Sequence, residues 1–65
     1  MAFAWDYLDA AGEPVGRSEA FLDRDAAEAW MGEAWEELLA QGVEEAALVD
    51  LERDRRIYRM GLREA

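Results

Sequence analysis

The side chains that do chemistry are scarce in this sequence. It has no histidine, cysteine, lysine or threonine, and Ser18 is its one serine. Ser18 therefore has neither imidazole nor amine to activate it as a nucleophile. Carboxylates are plentiful, with adjacent pairs at Glu36/Glu37 and Glu44/Glu45. Neighbouring acids on a helix or turn normally make a solvated face, and a glycosidase-like pair needs a cleft that so short a chain is not expected to build. The segment "LDRDAAE" lacks the alternating oxygen ligands and glycine of a calcium loop, and the usual zinc ligands are missing. The expectation is a protein that is not an enzyme and holds no metal or cofactor.

The basic residues form the second candidate. Residues 1–50 carry 13 acids against Arg17 and Arg24, a formal −11; residues 51–65 carry five arginines against three acids, a formal +2. Arg53, Arg55, Arg56 and Arg59 flank Tyr58 and define a secondary basic patch. It could touch a phosphate backbone or a base, or its arginines could pair with the acids of the body. A net charge of −9 disfavours nucleic acid, because phosphate neutralisation drives such binding. Gly12 and Gly16 do not match a phosphate loop.

The third candidate is aromatic. Trp30 and Trp35 lie in "EAWMGEAW", five residues apart on an expected helix and so roughly 140° apart around it. With Ala27 set at zero, Met31, Ala34 and Leu38 fall within about 40° and form the stripe for the sheet. Trp30 lies roughly 60° to one side and Trp35 about 80° to the other, with Leu39 further round near 120°. Glu33 and Glu36 lie opposite, and Gly32 falls near 140°, towards the polar side. The Trp35/Leu39 flank is the one expected to stay more exposed. Either both rings cover the sheet, or Trp30, Trp35 and Leu39 anchor a protein partner while Glu33 and Glu36 steer it.

The elements that must hold these residues are legible. Phe3, Trp5 and Tyr7 alternate with Ala4 and Asp6 as in a half-buried strand, "DAAGEP" is a turn, and a weaker strand runs from Val15 to Phe21. Asp23 is the expected N-cap, with Asp25 as the competitor through a capping box to Glu28. The helix should span residues 24–41, and Gly42 suits the left-handed residue that ends it. "VEEAALVDL" is apolar on both faces and therefore central in the sheet. "ERDRR" is a charged turn, residues 56–60 form the last strand, and residues 61–65 form a tail. The fold class is α+β: ββαββ, one helix packed on a four-stranded, mainly antiparallel sheet, in a single domain over residues 1–65.

The hairpin, then "AAEAWMGEAWEELLAQGV", a strand and "RRIYRM", resembles the small acidic ββαββ proteins of unknown function found in actinobacteria. The resemblance implies the fold and no activity. Abundant Ala, Glu, Arg, Gly and Leu with no lysine suit a high-GC genome, with a halophile as the competing explanation.

A chain of 65 residues has a small core and a thin stability margin. With disulfides and zinc excluded, association is the staple left. Phe3, Trp5 and Tyr7 are expected to face the helix, leaving Ala2, Ala4, Asp6 and Leu8 on an outer face that a homodimer would cover. No run is apolar enough to span a membrane, and residues 1–8 do not read as a signal peptide. The expectation is a cytoplasmic, non-catalytic, acidic protein-interaction module with a protein partner, its acidic face suited to a basic surface. The alternatives are a self-associating structural protein and an acidic mimic of nucleic acid. The core looks too small to spare a pocket for a small molecule.

Overall fold

The computed structural model describes residues 2–64, so Met1 and Ala65 of the expected domain lie outside the described residues. The elements are β1 (Phe3–Leu8), β2 (Pro14–Arg17), α1 (Arg24–Ala40), β3 (Glu45–Asp50) and β4 (Arg55–Gly61), followed by a short 3-10 turn over Leu62–Glu64. The four strands form one sheet in the order β2-β1-β3-β4, and every neighbouring pair is antiparallel. Strands β1 and β3 are thus the inner pair, and β3 is buried from Ala46 to Asp50. The return through the helix sets β3 antiparallel against β1, with Phe3 opposite Asp50 and Trp5 opposite Leu48.

Helix α1 starts and stops where its end groups are satisfied. The Asp23 carboxylate accepts from the Ala26 backbone N–H at 2.8 Å, so Asp23 rather than Asp25 is the cap. At the other end Val43 N–H donates to Leu38 at 3.0 Å and Gly42 N–H to Leu39 at 3.1 Å. This reciprocal pair needs a left-handed residue between, which Gly42 supplies at φ 100°. Val43 then folds back into the core, 5% exposed.

The core lies between the helix and one sheet face. Ala27, Met31 and Leu38 are the buried helix positions. They pack with Trp5, Phe21, Ala46 and Leu48. Trp5 is fully buried, and its indole N–H donates to the Ala27 carbonyl at 2.9 Å, tying β1 to the helix. Phe3 and Tyr7 pack against the same cluster, so all three β1 aromatics face the helix as their alternation predicts.

Three expectations need correction. The second strand does not reach Phe21. Ser18 N–H still donates to the Trp5 carbonyl at 2.8 Å, but Ser18 Oγ takes the Trp5 N–H at 2.8 Å in place of a carbonyl, so the strand ends at Arg17 and an isolated bridge between Phe3 and Phe21 follows. The tail begins later than expected, because Gly61 still belongs to β4. Leu62 is fully buried, and its N–H donates to the Glu44 carbonyl at 2.9 Å. Finally, the sheet face away from the helix is not an open apolar surface. Ala4, Ala47 and Val49, which alternation places there, are at most 5% exposed. Arg17, Arg56 and Arg59 share that face by register.

Candidate functional site

The helix makes its main sheet contacts over β1, so its two flanks look towards opposite edges of the sheet. This separates the tryptophans. Trp30 packs on Phe21, ring centroids 5.4 Å apart, on the β2 side. Trp35 looks the other way. Between its flank of the helix and β4 runs a groove of about 300 Å³. Met31, Gly32 and Trp35 form the helix wall, Tyr58 and Met60 form the strand wall, Trp5 lies at the base, and Glu28 is the one charged residue in the lining. The groove opens at the surface beside the small core rather than within it. The cause is the strand order, which carries β4 out beyond β3 while the helix stays over β1.

Each wall follows from local sequence. Residues 28, 32 and 35 recur at the helical spacing of four and three and so share one flank. In β4, Tyr58 and Met60 alternate towards the helix opposite Leu48 and Ala46 of β3. Gly32 therefore belongs to the groove rather than to a polar outer face. Nothing lies within 4 Å of where its Cβ would be, so it opens the groove wall.

The three tryptophans differ in what satisfies them. Trp5 is buried, hydrogen-bonded and edge-on to Tyr58 at 6.0 Å. Trp30 has Phe21. Trp35 is half-buried, and among the described residues it has neither a ring partner nor an acceptor for its indole N–H. Leu39, expected beside it, is half-buried and packs against the core one turn beyond the groove.

Glu28 sits in a small polar network at the rim. Its Oε2 accepts from the Tyr58 hydroxyl at 2.8 Å and from Arg24 Nε at 3.4 Å. The Arg24 guanidinium lies 5.4 Å from the centre of the Tyr58 ring. Burial, then the hydrogen bond and charge of Glu28, push the Tyr58 hydroxyl up to about 12, against a smaller opposing effect of Arg24. The phenol thus stays protonated and keeps donating to Glu28 across neutral pH. Among the described residues no donor reaches Glu28 Oε1.

The remaining candidates lie elsewhere. Glu33 and Glu36 are exposed on the outer helix face and do not line the groove. The basic residues are in part paired with acids of the body. Arg53 pairs with Asp50 at 3.1 Å, Arg59 with Glu45 at 3.6 Å and Arg63 with Glu44 at 2.7 Å. Arg55 and Arg56 are exposed, with no ion pair among the described residues. Asp50 is 5% exposed. Burial pushes its carboxyl up, but the backbone N–H groups of Arg53 and Glu52 and the Arg53 guanidinium outweigh this and hold it below its ordinary 3.8. It organises the β3–β4 turn.

Among the described residues no group of three or more acidic side chains is placed to hold a metal ion, and no helix is long and apolar enough to cross a membrane. No protein-family model, no curated protein and no solved structure matches the chain.

Proposed function

We propose that the chain is a non-catalytic, acidic interaction module that binds a basic protein partner through the groove between α1 and β4. The observation that carries this reading is Trp35: half-buried, unpaired, and forming one wall of an apolar groove. Tryptophan in a pocket that a partner can desolvate is a preferred binding anchor. The net charge of −9 favours encounter with a cationic surface and disfavours nucleic acid. Trp30, Trp35 and Leu39 all pack against the core, but Trp30 is covered by Phe21 and Leu39 does not line the groove, so Trp35 carries the binding and Glu33 and Glu36 supply long-range field.

The test is affinity capture from lysate of the source cell at low and moderate salt, followed by titration of the identified partner with purified protein. Trp35→Ala should weaken the partner by about 30-fold, the cost of losing a hot spot of about 2 kcal/mol, a larger effect than the loss of stability from its packing against the core. Loss of stability with affinity unchanged would refute the assignment. Recovery of this chain alone would replace it with self-association.

A further inference from the structure

The occupant of the groove can be specified more closely, on the reading just given. We infer that the groove receives one arginine or lysine side chain of the protein partner, its stem against Trp35, Met31 and Met60 and its charged head on the free Oε1 of Glu28. Three observations converge. The lining is apolar and aromatic except for a single carboxylate, which suits a side chain that is aliphatic along its length and cationic at its tip. That carboxylate has its second oxygen unengaged by the described residues, while Tyr58 and Arg24 fix the first.

The chain also displays this mode of recognition within itself. Arg24 lies over Tyr58 and reaches Glu28, both of which line the groove, so it holds one end of the rim while an external cation would enter beside Trp35. A guanidinium or ammonium over an indole face gains from the ring quadrupole, and the surrounding negative charge adds to it. Gly32 leaves room for the stem to cross the helix wall.

The experiment is a set of 15N–1H titrations of the full chain with four probes. They are N-butylguanidinium, its neutral counterpart butyramide, and Gly-Ser pentapeptides with either arginine or glutamine at the centre. Butylguanidinium and the arginine peptide should move the Gly32 amide, the Trp35 indole and the Met60 amide saturably. Butyramide and the glutamine peptide should bind about tenfold more weakly, the scale of one charge-assisted hydrogen bond. Glu28→Gln should abolish that preference, and Gly32→Leu should remove binding of every probe while leaving the far-ultraviolet dichroism intact.

Equal affinity for charged and neutral probes would overturn the inference, as would shifts away from the groove or no shifts at all. Binding of butylguanidinium without the arginine peptide would overturn the assignment to a protein side chain. Each of these results leaves lysate capture to decide the interaction-module reading separately.

Discussion

Gly32→Ala offers a quantitative check on the groove. A glycine inside a helix costs about 0.8–1.0 kcal/mol relative to alanine, through the extra freedom that the unfolded backbone loses. Gly32 lies near the middle of α1, and an added Cβ would meet no atom within 4 Å. No steric term therefore offsets the gain, and nearly all of it should appear as stability. At about 2.1 cal/mol/K per residue, a chain of 65 residues unfolds with an entropy near 0.14 kcal/mol/K at its midpoint. A gain of about 0.8 kcal/mol then raises the melting temperature by about 6 °C. Calorimetry and urea denaturation of the two proteins should agree on that figure. The same methyl narrows the wall beside Trp35, so the stabilised protein should bind the arginine probe more weakly. An unchanged or lower melting temperature would refute the reasoning, because it would mean that this stretch is not an unstrained helix with open space beside it.

Other expectations follow from the core, the turn and the rim. Leu62→Ala should cost about 2–5 kcal/mol in urea denaturation, as for other fully buried leucines; a loss under about 1 kcal/mol would mean that the 3-10 turn is not docked. Asp50→Ala should destabilise the protein at pH 7. The folded-state value of Asp50 lies below its ordinary 3.8, so its contribution is complete above that value and is lost as pH falls through the folded-state value. The stability gap between wild type and variant should therefore narrow below about pH 3.8. Tyr58, raised to about 12 from 10.0, contributes stability that is intact below pH 10 and declines between pH 10 and 12. Absorbance titration should find one tyrosine ionising near the top of that range, and Glu28→Gln should bring it down.

The parts of this protein that were legible in its sequence are those fixed by nearest neighbours along the chain. Asp23, Gly42 and the stripe Ala27, Met31 and Leu38 bound and orient the helix through spacing alone. The double-faced apolarity of residues 46–49 marked β3 as central, since only an inner strand is covered on both sides. The groove was not legible, because it depends on the order of strands. Periodicity can say that Tyr58 and Met60 share a face, but not that β4 stands two strands along from β1, over which the helix lies. The same gap placed Gly32 on the polar side: its wheel angle was sound, but what stood opposite was unknown. Leu62 was missed for a different reason. A single leucine between glycine and arginine has no period, and its burial comes from the 3-10 turn docking against the helix.

The seam between β1 and β3 has a kinetic meaning. It joins Phe3 to Asp50 and Trp5 to Leu48, residues separated by most of the chain, so the central contacts of the sheet are among its least local. Each hairpin alone has one apolar face and nothing to cover it. The helix gains its tertiary support only when the sheet beneath it exists. Closing that long loop is an entropic barrier that must be crossed before the reward of the seam arrives. The domain should therefore fold more slowly than a helical bundle of its length, and in one cooperative step. Mutations along the seam should slow folding, whereas those lining the groove should chiefly alter how fast the finished molecule comes apart.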